Sequence, residues 1–287
     1  MKMFKKLAGA AAVAMSMMAG SASAADILNN WKFNPTGGGF ASAQTINEYL
    51  DVSGNAFINL TPTSATTFNF VEHAAFNLVQ ADSNGQLFPL NYAGGNITAT
   101  FEATGSGNFS GAFSFTGGVI RMYQNPTNNQ YATTTGIYGA NLGNMIAEFQ
   151  VLPGGGGLVD GSGLPTNNGQ ISVFAKANVG QLDAGYFFRA DGTDLSGEDI
   201  LSFAFTNANT IGQPTATMVR EIACEFAGFT GTNCATGEGY QNAPGDHFFV
   251  SNNGQFKLAE VPEPGSLALF GLAILGAGVV SRKRKQA

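Results

Sequence analysis

Apolar and polar residues alternate with a period of two in many short segments of the chain, and Gly, Asn and Thr bound these segments. Successive side chains of a β-strand point to opposite faces, so this period predicts strands with one apolar face. The predicted strands cover residues 57–60, 67–70, 96–101, 109–115, 119–123, 171–175, 186–188, 201–205, 215–219, 247–250 and 255–258. Short strands at regular spacing favour a sandwich or a barrel, and we expect a mainly β, antiparallel, jelly-roll-like β-sandwich with most phenylalanines in its core.

Four segments depart from this simple alternation. Residues 43–50 have the pattern of one or two helical turns, and residues 217–226 fit a short helix as well as a strand. Residues 251–254, with the sequence Ser-Asn-Asn-Gly, predict the turn of a hairpin that joins the last two strands. Residues 152–170 contain seven glycines in 19 residues. This predicts a long loop within one sandwich, with an interdomain linker as the alternative.

The first residues have the pattern of a secretory signal peptide. Three lysines precede an apolar run at residues 7–19, and an Ala-x-Ala sequence formed by Ala22 and Ala24 follows it. Signal peptidase requires small side chains beside the cleaved bond, so we expect residues 1–24 to be the signal peptide, with cleavage after Ala24. The apolar run is shorter than the about 20 residues of a membrane span. A buried N-terminal helix is the alternative.

The last residues combine a proline-containing motif, an apolar run and a basic cluster. The motif and the cluster consist of Val261, Pro262, Glu263 and Pro264, and of Arg282, Lys283, Arg284 and Lys285. As a helix, residues 265–281 would be roughly 25 Å long, which spans a bilayer when basic side chains snorkel. The basic cluster stays on the cytoplasmic side, so we expect a single C-terminal transmembrane helix with the body outside.

This combination of motif, apolar helix and basic cluster at residues 261–287 resembles the PEP-CTERM sorting signal of Gram-negative bacteria. The resemblance implies recognition by an exosortase, a membrane-embedded cysteine protease, and removal of the tail near the Pro-Glu-Pro motif. The protein would be anchored transiently in the inner membrane, with its body in the periplasm, and then reach the cell surface or the extracellular matrix. Residues 30–35 (NWKFNP) and 44–50 (QTINEYL) also resemble floc-associated members of this class, which accompanies exopolysaccharide, biofilms and flocs.

Residues 25–260 form the body, and their number suffices for a buried core. The two ends hold seven of the 13 Lys and Arg residues and one of the 19 Asp and Glu residues. The body therefore keeps six basic and 18 acidic residues, a net charge near −12 against −6 for the chain. Phosphate binding requires clustered cations, so this balance argues against nucleic acid as a partner.

Cys224 and Cys234 are the two cysteines of the chain. An even number of cysteines in an exported protein predicts a disulfide, which here would close a small loop and stabilise the fold by about 2–3 kcal/mol. The alternative is a catalytic or metal-binding thiol, but no histidine lies near either cysteine in the sequence.

The two histidines each follow an acidic residue, and either pair could be an acid–base dyad. His73 follows Glu72, and His247 follows Asp246. No Gly-x-Ser-x-Gly nucleophile motif accompanies them, and a zinc site would lack ligands. We therefore expect structural or surface histidines and no enzymatic activity.

The densest acidic segment contains Asp191, Asp194, Glu198 and Asp199 on a turn-rich stretch. Such carboxylates provide the oxygen ligands that calcium requires, although their spacing is not that of an EF-hand. A solvated turn is the alternative, and no other cofactor is expected. Trp31 could stack on a sugar ring or simply pack near the start of the body.

These observations support three functional hypotheses. The first is a structural or adhesive protein of the cell surface or matrix, acting in biofilm or floc formation with exopolysaccharide. The second is a carbohydrate-binding module, with calcium as a candidate cofactor. The third is a secreted hydrolase of matrix polymers, for which Glu72, His73, Asp246 and His247 are the residues to test.

Overall fold

The computed structural model describes residues 27–46, 49–83, 86–87, 96–125, 130–166 and 169–261. Residues Ile27–Ala259 form one compact unit. The predicted signal peptide at residues 1–24 with its cleavage site, Pro262–Pro264 of the sorting motif, the predicted transmembrane helix and the basic tail lie outside the described residues. Val261 follows directly after the last strand.

Strands dominate the described residues, as the period-two pattern predicts. They are β1 (Trp31–Phe33), β2 (Gln44–Ile46), β3 (Tyr49–Pro62), β4 (Thr67–Ser83), β5 (Gln86–Leu87), β6 (Asn96–Asn108), β7 (Ala112–Asn125), β8 (Asn144–Val151), β9 (Gly154–Leu158), β10 (Gln170–Ala177), β11 (Phe187–Phe188), β12 (Ile200–Thr210) and β13 (His247–Glu260). Apart from short 3-10 turns, the described residues contain one helix, α1, which begins with an α-helical turn (Ala216–Met218) and continues in π-helical turns (Val219–Phe226). Short 3-10 turns lie at Phe40–Ser42, Leu195–Gly197 and Thr232–Cys234.

Ten of the described strands form a closed, barrel-like sheet, and β11, β1 and β2 form a separate small sheet, so the predicted sandwich is wrong although the mainly β class is confirmed. Eight strands follow one another in the order β3, β4, β6, β7, β8, β10, β12, β13, and the last pairs with the first. Strand β9 pairs with β7 and β10, and β5 pairs with β4. A jelly roll has Greek-key connections between two sheets, whereas here neighbours in the sequence are neighbours in the sheet.

The inward face of the closed sheet holds the main core. Phe101, Phe115, Phe149 and Phe256 are among its buried members, and Phe256 lies edge-on to Phe149 with ring centroids 5.4 Å apart. Aromatic pairs favour such edge-to-face contacts. Trp31 belongs to the same core: it is 0 % exposed and lies on strand β1 of the small sheet β11-β1-β2. It therefore presents no face to a sugar ring.

A second buried cluster covers part of the outer surface. Helix α1 buries Val219 and Ile222 against the outward side chains of Phe57 and Phe249. The helix begins at Thr215, whose hydroxyl accepts a hydrogen bond from the Met218 N–H at 3.2 Å, as expected of an N-cap. Because helix α1 covers the outer face of β3 and β13, side chains on both faces of these two strands are buried.

The four segments with ambiguous patterns differ from expectation in three cases. Residues 43–50 contain strand β2 and the start of β3 instead of helical turns. Residues 251–254 lie inside the continuous strand β13, because every one of them pairs with β3. The glycine-rich segment contains strand β9 instead of being only a loop. Residues 217–226, left open between helix and strand, are helical.

Within the part of the chain that the structure describes, no helix is long and apolar enough to cross a membrane.

Candidate functional site

A polar groove of about 640 Å³ lies on the outer surface of the closed sheet. Its lining comes from four successive strands, β3, β13, β12 and β10, with β9 at one end. We call it the outer groove and define it by Asp51, Gly156, Gln170, Ile171, Ser172, Phe205, Thr206, Asn207, Asn253, Gly254 and Gln255. The volume falls within the range of about 300–1,000 Å³ that is typical of small-molecule sites.

The register of the sheet brings these side chains together. Ser172 pairs with Phe205, Gln170 pairs with Asn207, and Asp51 pairs with Gln255 across their strands. The first two pairs are at outward positions, because the intervening Ile171 and Thr206 line the interior of the sheet. The third pair is also outward, because the adjacent Leu50 and Phe256 belong to the buried core. Residues far apart in the sequence therefore form one continuous polar face.

Gly254 is required where β13 approaches β12. A Cβ atom at this position would clash with the Phe205 carbonyl oxygen and the backbone of Thr206. The absence of a side chain permits the close approach of the two strands.

Phe205 supplies the aromatic surface of the outer groove and is 46 % exposed. The inward positions of the same strand carry small side chains, including Ser202 and Ala208, because aromatic residues of other strands fill the interior. Phe203, two residues earlier, packs edge-on against Phe174 with ring centroids 5.5 Å apart. Phe205 is therefore an exception to the expectation that most phenylalanines lie in the core.

The polar groups of the outer groove are amides, the two hydroxyls of Ser172 and Thr206, and a carboxylate. The side-chain amides of Gln170, Asn207, Asn253 and Gln255 provide both donors and acceptors of hydrogen bonds. Asp51 is the only ionisable residue among the lining residues, which include no Lys, Arg or His. Such a surface can both donate hydrogen bonds to hydroxyl groups and accept hydrogen bonds from them.

The interior of the closed sheet contains two smaller cavities, of about 60 Å³ and about 30 Å³. Glu72 lines both and is 6 % exposed. Burial in this apolar interior raises the pKa of Glu72 from 4.5 to about 7, because the charged form loses its hydration. Asn252 lines the larger cavity, and its buried Oδ1 has no hydrogen-bond partner among the described residues.

The structure separates Glu72 from His73. They are consecutive in strand β4, so their side chains point to opposite faces of the sheet. The His73 ring packs edge-on against Phe226 of helix α1, with ring centroids 4.8 Å apart, and burial lowers the pKa of its imidazole. The two residues therefore do not form an acid–base dyad.

Asp246 and His247 do lie together, with Asp246 Oδ2 3.1 Å from His247 Nδ1. The imidazole packs against the rings of Phe57, Phe229 and Tyr240, at centroid distances between 4.8 and 6.1 Å. In the described part of the chain no serine, threonine or cysteine hydrogen-bonds to His247. The pair is thus a packed histidine beside an exposed carboxylate.

The four carboxylates of the acidic segment make separate local contacts. Asp191 accepts a hydrogen bond from the Thr193 N–H at 2.9 Å, and Asp194 caps the 3-10 turn by accepting one from Ser196. Glu198 forms an ion pair with Arg189, and Asp199 forms one with Lys176 at 2.7 Å. Across residues 27–261, apart from the gaps in the described ranges, no three Asp, Glu, His or Cys side chains are placed to hold a metal ion.

The disulfide predicted between Cys224 and Cys234 is confirmed, with their Cα atoms 5.6 Å apart. It joins the end of helix α1 to the 3-10 turn at Thr232–Cys234. The disulfide therefore holds the segment that contains Phe229 against the second buried cluster, the one that helix α1 forms with Phe57 and Phe249.

The sequence patterns did not identify the outer groove. One local signal was present: residues 201–208 alternate large or polar side chains with Ser202, Ala204, Thr206 and Ala208. Small residues on one face are compatible with a crowded interior, which would place the phenylalanines outside. Strand β12 pairs with β10 and β13, and β13 is distant from it in the sequence. No local pattern of residues predicts these pairings.

Comparison with known proteins identifies the C-terminal segment. A family model described as the PEP-CTERM protein-sorting motif matches residues 260–285. No curated protein and no solved structure matches the chain. The motif marks an exported protein that an exosortase processes during export and that is sorted to the cell surface. The chain therefore carries a PEP-CTERM sorting motif at its C-terminal end, and the sorting signal predicted from its last residues is confirmed.

Proposed function

We propose that this protein is a structural, adhesive component of the cell surface and extracellular matrix that holds polysaccharide in the outer groove. In this role it promotes biofilm or floc formation by linking cells to exopolysaccharide. The sorting motif implies delivery to the cell surface. The observation that carries the binding role is the outer groove, with an exposed phenylalanine among amide side chains.

The chemistry of the outer groove matches that of a sugar ring. A pyranose has an apolar face of C–H groups and a rim of hydroxyls that both donate and accept hydrogen bonds. Phe205 offers a flat apolar surface for the first, and Asn207, Asn253 and Gln255 offer amides for the second. Ligand sites commonly combine aromatic side chains with a small number of polar groups that fix the orientation of the ligand.

We propose that the body binds without catalysing a reaction. Glu72 lies inside the closed sheet and His73 lies outside it, so the carboxyl and the imidazole do not share a reaction site. Asp246 and His247 hydrogen-bond to each other, but aromatic rings surround the imidazole. Binding without hydrolysis fits a protein that holds the matrix together.

The proposed route begins with the signal peptide and signal peptidase. The apolar segment before the basic tail then anchors the chain transiently in the inner membrane, and exosortase removes the tail near Pro262–Pro264. Intact mass of the protein recovered from the cell envelope and from the medium tests this route. Loss of the tail in the released form supports the route, and a released form that keeps residues 265–287 contradicts it.

The binding role is tested by Phe205→Ala. We expect the full-length variant to lose retention on exopolysaccharide purified from the native host, and the host strain carrying it to flocculate less than wild type. Phe40→Ala is the matched control, since Phe40 is 38 % exposed and lies outside the outer groove. Equal retention of Phe205→Ala and wild type would contradict the role of the outer groove.

A further inference from the structure

Strands β10 and β12 present their outward side chains as a row of facing pairs that begins in the outer groove and continues beyond it. The two strands are antiparallel neighbours, and the row lies on the outer surface because the intervening Val173 and Ala204 line the interior cavity. From the outer groove onwards, the facing pairs are Gln170 with Asn207, Ser172 with Phe205, Phe174 with Phe203, and Lys176 with Leu201. The first two pairs line the outer groove, and the last two extend the row past its end.

Phe174 and Phe203 form an aromatic pair on this outer surface. Their rings lie edge-on with centroids 5.5 Å apart, and both side chains are half-buried. Among the described residues, neither phenylalanine belongs to the main core or to the second cluster under helix α1. The pair therefore packs at the surface and does not fill an interior, and it offers the same kind of apolar contact as Phe205.

Phe203 and Phe205 face the same side of the sheet at successive outward positions of β12. They are two residues apart, so at about 3.4 Å per residue their Cα atoms are about 7 Å apart along the strand. The whole row of four pairs covers three such steps, or about 20 Å. A sugar stacked on Phe205 therefore leaves Phe203 for the following sugars of a chain that runs along β12.

Polar groups lie at both ends of the aromatic part of the row. At one end the amides of Gln170 and Asn207 donate and accept hydrogen bonds. At the other end Lys176 forms an ion pair with Asp199 at 2.7 Å, and both side chains are partly exposed. The polar ends match the hydroxyl groups of a sugar chain, and the aromatic positions between them match the apolar faces of its rings. This order of groups fits a linear oligosaccharide better than a single sugar.

We infer that the bound polysaccharide runs along β10 and β12, stacking on Phe205 in the outer groove and on the pair of Phe203 and Phe174 beyond it. This inference rests on the proposed polysaccharide-binding role, and it adds a second stacking position and a direction for the chain. The site takes a linear run of several sugars, with the amides of the outer groove at one end and the ion pair of Lys176 and Asp199 at the other.

The test measures the affinity of the full-length protein for oligosaccharides of known length. The probes are fragments from partial acid hydrolysis of the native host's exopolysaccharide, separated from monosaccharide to octasaccharide. We expect the affinity of wild type to rise with length until the row is covered, and Phe205→Ala to weaken binding at every length. Phe203→Ala should lose only the gain with length, binding the longer fragments about threefold to tenfold more weakly than wild type.

Three further variants separate stacking from folding. Phe203→Tyr keeps the ring and should bind every length as wild type does. Phe203→Leu keeps an apolar side chain without the ring, and it should reproduce the loss even where Phe203→Ala fails to fold. Phe40→Ala is the matched control, because Phe40 is also partly exposed and packs edge-on against Phe188, with centroids 5.7 Å apart, outside the row. It should bind as wild type does.

The outcomes separate this inference from the proposed function. If Phe205→Ala binds weakly while Phe203→Leu and Phe203→Ala match wild type at every length, the second stacking position is overturned and the outer groove remains the binding site. A wild-type affinity that does not rise with length, or a loss in Phe203→Leu that is equal for the shortest and longest fragments, would also overturn the inference. Absence of wild-type binding to every fragment and to the intact exopolysaccharide would overturn the proposed function itself.

Discussion

Replacing Glu72 with Gln should stabilise the protein above neutral pH and leave its stability at acid pH almost unchanged. Glu72 lies in the closed sheet and is the only ionisable residue that lines either interior cavity. Burial raises its pKa from 4.5 to about 7. Glutamine has nearly the same shape and resembles the neutral, protonated carboxyl group.

The pKa shift gives the size and the sign of the effect. A rise in pKa from 4.5 to about 7 corresponds to about 3 kcal/mol, at about 1.4 kcal/mol for each pKa unit. The folded state keeps a proton on Glu72 that the unfolded state releases between these two values. Stability from this group is therefore fully present below pH 4.5 and falls as the pH rises through the window. Above about pH 7 the whole cost of a buried charge is present.

Denaturant unfolding of the full-length wild type and Glu72→Gln from about pH 4 to about pH 8.5 measures this difference. We expect the variant to gain about 3 kcal/mol of unfolding free energy at the alkaline end and close to nothing at the acid end. The matched control is Glu238→Gln, because Glu238 is exposed. Its difference from wild type should not change with pH over this window.

Two results would refute this reasoning. If Glu72→Gln changes stability by the same amount at every pH, its effect comes from packing or hydrogen bonding and not from ionisation. If the variant is no more stable than wild type at about pH 8, the carboxylate is accommodated in the folded state at little cost. The second result would also mean that Glu72 is not surrounded by apolar groups when it is charged.

The remaining predictions concern particular contacts. Replacing Cys224 and Cys234 by serine should lower the unfolding free energy by about 2–3 kcal/mol, and an unchanged denaturation midpoint would contradict this. Gly254→Ala should cost about 1–3 kcal/mol and reduce polysaccharide retention, because its methyl group forces β13 from β12. Thr215→Ala should cost about 1 kcal/mol through loss of the helix N-cap, measured by thermal unfolding. Chelator should leave the melting temperature unchanged, because the carboxylates of residues 191–199 are engaged separately; a fall would indicate a bound metal ion.

The sequence predicted individual strands better than it predicted how these strands pair in the sheet. The period of two identified strands such as 96–101 and 171–175, and these lie within β6 and β10. It did not show that Ser-Asn-Asn-Gly at 251–254 continues a strand, because turn residues are also accepted where a neighbouring strand supplies the hydrogen bonds. Gly254 is an example. Glycine is common in turns, but in this sheet Gly254 is the residue that allows β13 to approach β12 closely.

The choice of face on β12 shows the same limit. Alternation in residues 201–208 separates two sets of side chains but does not say which set faces the core. The set of positions that contains phenylalanine is normally the buried one. In this molecule Phe101, Phe115 and Phe256 already fill the interior, so β12 contributes small residues there and Phe205 remains outside.

The sequence alone therefore determined the strand-rich class, the pairing of the two cysteines and the sorting address of the chain, because each depends on residues close together in the sequence. The tertiary structure alone decided that the strands close on themselves, that Glu72 and His73 face different environments, and that the outer groove exists. These features depend on pairings such as β3 with β13, which join residues more than 180 positions apart. The register of such long-range pairs is fixed by packing of the whole sheet, which no local pattern records.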